Sequence, residues 1–474
     1  MNNQASNRTV ENIIISKGWL ATAVYGAILI VLNIIRIFDN CFWGDEAFSI
    51  RLAKQSITEM LVSTAGDVHP PLYYILLIFA NRLFGDHGWV YHFVSIIPFV
   101  VLVIFTLTVI WKRFGGAASV IFLTFIGISN AAVVYNVEAR MYSLASMSVL
   151  FSFYGLYMIL NEEKGGELLF VIASLGASYT HYYAMMSVAI FYLVLLFWSI
   201  IGRFEKKKLL ICYVCTVLGY IPWLIQMITT FKRTSEGFWM GGFPGIKDCA
   251  ESYFYSSKEW YAFGLLAITT FLIIYRLVCD KTDITAMWLL FGFAAAIGTS
   301  VIGEVISIVI RPAFITRYLY PVTPVMWLIL SVEIAQLGQK RIVALAIVAI
   351  SLAVFIPNYL NVYEKDKAND LKCSETQKAM QMLIDENDIV LTNVSHLEWT
   401  IFEYYLPKIT KRLITNEFGD FEEDKIYWLA WDKELTEEDN SWIENQGYLA
   451  KEEISDGMLG LNSFHLYRLQ LIPR

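Results

Sequence analysis

The sequence predicts a polytopic α-helical membrane protein with a small, water-facing α/β domain at its C-terminal end. Three observations predict it. The 474 residues are 57% hydrophobic and 15% aromatic, more than a soluble globular domain uses. Apolar runs of membrane-crossing length recur from residue 19 to residue 358. The net charge of -7 is unevenly spread: residues 361–474 hold 23 acidic and 12 basic side chains, whereas the preceding 360 hold 20 acidic and 24 basic. A membrane domain, 1–360, is therefore expected to precede a tail domain, 361–474.

The first 18 residues are polar and lead into an apolar run of about 20 residues, which suits an uncleaved first span better than a signal-peptide core. Spans follow from the apolar runs at 19–39, 89–110, 116–135, 141–160, 167–180, 182–202, 209–231, 259–278, 285–303, 319–338 and 342–358, eleven in all. The run Leu72–Phe84 has 13 residues, too short for a hydrocarbon core of about 30 Å at 1.5 Å per residue. It reads as a helix lying at the interface. With it excluded, Lys17, Lys112, Arg113, Lys164, Arg203, Lys206, Lys207, Lys208, Arg276, Lys281, Lys340 and Arg341 fall on one side, which the bias of Lys and Arg toward short inner loops makes the cytoplasm. The N-terminus is then inside, and the first loop (40–88), the connections near 136–140 and 180–182, the loop 232–258, the segment 304–318 and the tail are outside. The spans carry almost no charge near their centres, unlike a transport path.

In the tail, hydrophobic patterning predicts helices over 375–384, 398–405 and 436–445 and strands over 388–392, 412–415, 425–431 and 464–471. The six cysteines show no framework spacing, and Cys212 and Cys215 form a CxxC within an apolar helical run, which reads as buried helix positions rather than a metal or redox motif. No glycine-rich phosphate loop occurs in the tail, and nothing points to nucleic acid.

Polar residues concentrate on the outer side. Trp43-Gly44-Asp45-Glu46-Ala47 follows the first span; Asp45 either caps a helix running from Glu46 to about Leu61 or serves as a general base, and both roles stay open. Asp67 and His69 precede Pro70-Pro71, which hold His69 extended; they either close a turn or bind a phosphate or hydroxyl. Glu138 and Arg140 form either a snorkelling pair or a carboxylate and a cation for an anionic headgroup. Arg311 and Arg317 pose the same choice, since a guanidinium matches phosphate bidentately. His181 with Tyr182 and Tyr183 belongs either to an aromatic belt or to a substrate depression. Asp45, Glu46, Asp67, His69 and Glu138 could gather a divalent metal, but no ligand spacing demands one.

The ordered set Trp43-Gly44-Asp45-Glu46-Ala47, His69-Pro70-Pro71-Leu72-Tyr73-Tyr74, Glu138-Ala139-Arg140-Met141-Tyr142-Ser143-Leu144, Thr180-His181-Tyr182-Tyr183 and Arg317-Tyr318 resembles the bacterial branch of glycosyltransferase family 39. That group is similar to protein O-mannosyltransferases and the lipid A aminoarabinose transferase, of GT-C architecture. The resemblance runs through roughly residue 320 and is loose in the tail. One departure is Tyr91-His92, where many relatives carry Arg near the start of the second span. The resemblance implies a bacterial plasma-membrane transferase that moves a sugar with inversion from a polyprenyl-phosphate donor to a lipid, glycan or protein acceptor on the outer face. Asp45 is then the catalytic base and Glu138 a second catalytic carboxylate, while Glu46, Asp67, His69, Arg140, Tyr142, His181, Tyr182, Arg311, Arg317 and Tyr318 bind substrates. No cofactor is required by this reading. Two other classes accommodate the same outer residues: a transporter or flippase of a lipid-linked sugar, and an envelope receptor whose acidic tail binds a partner.

Overall fold

The computed structural model of the chain describes residues 2–65, 69–233, 244–254, 258–310, 314–337, 339–393, 400–413 and 425–472. Two compact units divide it, one of Met1–Ile37, Ser56–Leu76 and His92–Leu360, the other of Phe38–Gln55, Leu77–Tyr91 and Asn361–Arg474. The division at 360 is the point where the charge balance changes sign. Two pieces of the first loop belong to the same unit as the tail.

The helices begin with α1 (Asn2–Ile34), α2 (Gly44–Ala53), α3 (Ile57–Ala65), α4 (Leu72–Phe84), α5 (Gly88–Phe105), α6 (Trp111–Ile128) and α7 (Asn130–Tyr135). They continue with α8 (Tyr142–Leu160), α9 (Gly166–Ser178), α10 (Tyr182–Ile200), α11 (Lys206–Arg233), α12 (Ile246–Ser252), α13 (Glu259–Cys279) and α14 (Ile284–Val309). The last four are α15 (Thr323–Ala335), α16 (Lys340–Leu383), α17 (Phe402–Tyr405) and α18 (Glu437–Asn445). Among the described residues, eight apolar stretches are long enough to cross a membrane. One of them, Gly88–Ile128, bends where Gly115 takes φ 84° and so supplies two of the predicted spans. With the shorter apolar helices α9 and α15, every apolar segment read from the sequence forms a helix.

The local differences have physical reasons. The helix expected from Glu46 to Leu61 is two helices, α2 and α3, broken at Lys54–Ser56. The segment expected at 116–135 breaks at Ser129, whose extended backbone (φ -61°, ψ 156°) and side-chain oxygen cap α7 by accepting from Ala132 N–H. The last span does not stop at 358: α16 runs 44 residues, because good helix formers such as Glu364, Lys365, Lys367 and Ala368 follow with no glycine to end it.

In the first unit, α8 packs on α9, α6 on α15 and α10 on α14. Apolar surface alone does not drive helices together in lipid, so close approach and buried hydrogen bonds carry the association. Gly155 lets α8 meet α9, since a Cβ there would fall 2.7 Å from Phe170 N. Ser152 and Ser174 join their hydroxyls across the same pair at 2.8 Å, and Ser187 and Thr299 join α10 to α14 at 2.9 Å. The buried indoles of Trp288 and Trp327 donate to the Phe153 and Tyr253 carbonyls, each at 2.8 Å, which removes the penalty of burying an N–H.

The second unit holds a five-stranded sheet of β1 (Ile389–Thr392), β2 (Thr410–Leu413), β3 (Tyr427–Trp431), β4 (Tyr448–Leu459) and β5 (Asn462–Leu471), in the order β2-β1-β3-β5-β4. β2, β1 and β3 are parallel; β5 and β4 add antiparallel. Alternate residues face two apolar layers: Val390, Trp428 and Leu466 meet Met380, Ile384, Phe402 and Cys41, while Ile389, Leu391 and Leu429 meet Ile443 of α18. Both faces of β1 and β3 are covered, so they read as continuous apolar runs. β4 is not among the predicted strands: it is an edge strand whose Lys451, Glu452, Glu453 and Asp456 and two register shifts hide the alternation.

Candidate active site

The site of the first unit is built on connections between helices. Residues 136–141 join α7 to α8, and their backbone is fixed from several sides. Asn136 Nδ2 donates to the Ile126 carbonyl at 2.8 Å, His92 Nδ1–H donates to the Val137 carbonyl at 2.8 Å and Ser95 Oγ donates to the Arg140 carbonyl at 3.3 Å. Arg36 donates to the Val133 carbonyl just upstream. Arg140, 2% exposed, extends Nη1 to the Tyr74 hydroxyl at 3.4 Å and Nη2 to His69 Nε2 at 3.5 Å. A guanidinium only donates, so His69 accepts at Nε2 and carries its proton on Nδ1.

His181 stands at the N-cap of α10, where its Nδ1 accepts from Tyr183 N–H at 3.1 Å. The neutral ring therefore carries its hydrogen on Nε2. That Nε2 is buried without a hydrogen-bond partner, and so is the Tyr142 hydroxyl. The His181 ring lies 5.9 Å from His69, 5.6 Å from Tyr142 and 5.2 Å from Tyr318 between centroids. Burial first, then the nearby His69, Arg140 and Arg317, hold its pKa well below the ordinary 6.5, so the imidazole is neutral. Behind it Tyr183 stacks on Phe314 at 5.2 Å; Gly303 of α14 makes room, since a Cβ there would come 2.9 Å from Tyr183 and 3.0 Å from Phe314.

Arg317 occupies a 3₁₀ turn, Thr316–Leu319, with its guanidinium 5.9 Å from the Tyr318 ring. It also lines a cavity of about 270 Å³ together with Asn130, Tyr135, Ser252, Thr316 and Tyr320. Two guanidiniums, a neutral N–H donor and phenols suit an anionic oxygen group.

The remaining candidates are placed as follows. Glu138 is half-buried in the 136–141 connection, and its carbonyl accepts Arg140 N–H at 2.6 Å. The Tyr182 hydroxyl accepts from the Trp223 indole at 3.3 Å, and Tyr183 joins the ring cluster with His181 and Tyr318. Asp67 and Arg311 lie outside the described residues. Asp45 and Glu46 belong to the second unit. There the N-cap position of α2 is Trp43, and the buried Glu46 carboxylate accepts Trp43 N–H at 3.3 Å. Glu46 thus performs the capping expected of Asp45, whose half-buried side chain sits one residue earlier on the first turn. Among the described residues no three His, Cys, Asp or Glu side chains converge as metal ligands would.

Ser95 carries no signal in the sequence, whereas Tyr74 stands in the His69–Tyr74 motif and His92 at the departure near the second span. Tyr74 was within reach, three residues after Pro71. The departure at His92 has a structural meaning: its ring supports the Val137 carbonyl.

Residues 68–226 match the family model described as dolichyl-phosphate-mannose-protein mannosyltransferase. This stretch holds His69, Glu138, Arg140, Tyr142, His181 and Tyr182. No curated protein matches the sequence at a significant level. The fold is similar to the crystal structure of ArnT from Cupriavidus metallidurans in the apo state, at TM-score 0.57 and 12% identity, covering 96% of this chain and 98% of that one. The same ArnT bound to undecaprenyl phosphate also matches at TM-score 0.57 and 12% identity, over 95% and 98% of the two chains. The chain is a multi-pass helical membrane protein with a fold similar to that of these ArnT structures, and residues 68–226 resemble the family described as dolichyl-phosphate-mannose-protein mannosyltransferase.

Proposed function

We propose that the protein transfers a sugar, with inversion, from a polyprenyl-phosphate donor to an acceptor hydroxyl on the extracytoplasmic face of a bacterial plasma membrane. The observation that carries this reading is the buried cluster of Arg140, His69, His181 and Tyr142 with Arg317 beside it, donors suited to a phosphate. The undecaprenyl phosphate bound in a structure of the same fold supports a lipid-phosphate donor. The acceptor is a lipid, glycan or protein carrying a free hydroxyl.

In the transfer, the acceptor oxygen attacks the anomeric carbon while a base takes its proton, and the bond to the phosphate oxygen breaks with its electron pair leaving on the phosphate. Asp45 is the base in this proposal, and Glu138 the second carboxylate. Arg140 and Arg317 oppose the charge gathering on the phosphate, where preorganised donors act most strongly. The Nε2–H of His181 donates to a phosphate oxygen and, being neutral, leaves the net charge to the arginines. Glu46 holds the turn carrying Asp45. Lipid phosphate is itself the leaving group, so no nucleotide-binding loop is needed.

The test is mass spectrometry of polyprenyl-phosphate sugars and envelope glycans in cells expressing the wild-type chain or Asp45→Asn at equal levels. The proposal expects only the wild type to deplete one lipid-linked sugar while a glycan, lipid or protein gains it. Matching profiles would remove Asp45 as the base.

A further inference from the structure

The second unit brings two thiols together. Cys41 lies between α1 and α2, and Cys373 on α16; they are 8% and 2% exposed and share one apolar cluster with Ala47, Met380 and Tyr405. Both are free thiols in the structure and perturb each other's ionisation, Cys41 being pushed up and Cys373 down. The backbone on either side is fixed to the same neighbours. Asn40 N–H donates to Asp370 Oδ1 at 2.9 Å, one turn before Cys373. The Tyr405 hydroxyl donates to the Asn40 carbonyl and accepts Phe42 N–H, each at 2.7 Å, and so straddles Cys41. Gln377, one turn after Cys373, donates to the Tyr405 carbonyl at 2.9 Å. By contrast the Cys249 thiol faces Glu304 at 3.3 Å, and Cys215 and Cys279 are exposed.

We propose that Cys41 and Cys373 are joined as a disulfide, a covalent tie between the segment entering α2 and α16. The proposal rests on the outward-facing reading of this unit, because disulfides persist in oxidising compartments and not in the cytosol. One thiolate attacks an exchangeable disulfide supplied by an oxidising dithiol protein, forming a mixed disulfide. The second thiolate displaces it, so the two cysteines lose two electrons and two protons and the donor leaves as its reduced dithiol. The hydrogen bonds on both sides hold the two sulfurs in reach of each other and favour this pair over the other four thiols.

The experiment uses the full chain. Membranes are acid-quenched and alkylated with N-ethylmaleimide, and the protein is digested without reductant and analysed by mass spectrometry. The expected result is that most of Cys41 and Cys373 is recovered as one linked peptide, lost on adding dithiothreitol, while Cys215 and Cys279 carry the alkyl group. Recovery of both cysteines singly alkylated overturns the bond in the cell. The purified chain is then incubated with oxidised glutathione to locate the failure. Linkage at that point traces it to the outward-facing reading, whereas separate glutathione adducts overturn the pairing itself.

Discussion

The connections near His69, Arg140, His181 and Arg317 and the segment 38–55 both interleave polar residues with apolar walls, yet they gather opposite chemistry. The first collects guanidiniums, imidazoles and phenols, with His181 Nε2 and the Tyr142 hydroxyl buried without partners. The second presents Asp45 and Glu46 on one helical turn, and Glu46 answers Trp43 N–H. Unpartnered buried donors are costly to a fold, so their retention in the first region points to a ligand that completes them. Glu46 of the second region has a structural partner in the Trp43 amide. Asp45 beside it is not the N-cap residue, which leaves the base role proposed for it open to a direct test.

That contrast can be broken most directly at Asp45. Asp45→Asn keeps the shape and is expected to lower turnover by about 10²–10⁴-fold, the usual worth of a general base, with thermal stability unchanged; an equal loss of stability would return Asp45 to a structural role. Arg140→Ala is expected to reduce transfer by about 10²–10³-fold, as for loss of one preorganised donor. Arg140→Lys should recover part of it, since Lys keeps the charge and loses the fork. Steady-state rates against donor concentration separate weaker donor handling from slower chemistry. Glu46→Ala should lower stability by about 1 kcal/mol through the lost cap while a large share of activity survives, as thermal melting and transfer assays on one preparation would show.

The smallest effect is on pH. His181 has its pKa depressed by burial and nearby cations, so the unfolded chain binds that proton more readily. The stability tied to neutral His181 is complete above its ordinary 6.5 and is lost as pH falls below it. His181→Asn retains an N-cap acceptor and removes the titration. Melting temperatures from about pH 7.5 to about pH 5.5 should therefore fall less steeply in the variant.

Much of the chain was legible before its fold. Eleven apolar segments, the 13-residue α4 and the charge change at 360 follow from composition and length, because lipid requires backbone hydrogen bonds to close within each helix. The motifs around His69, Glu138, Arg140 and His181 were legible as well, and the family match covers them. Other features are set by partners remote in sequence. Nothing local shows that Tyr183 turns toward Tyr318, because that depends on space left by Gly303. Nor does local patterning reveal β4, whose pairing with β5 supplies the backbone partners that its own residues do not advertise.

The sequence by itself therefore determined the membrane class, the helical segments and the residue types available for a phosphate, since hydropathy and side-chain chemistry are local properties. Only the tertiary structure decided which tautomer His181 carries, that Glu46 answers the Trp43 amide, and that Cys41 meets Cys373. The last depends on packing that arises only when segments distant along the chain are brought together; the first two are bonds over two and three residues, chosen among local alternatives that the sequence leaves open.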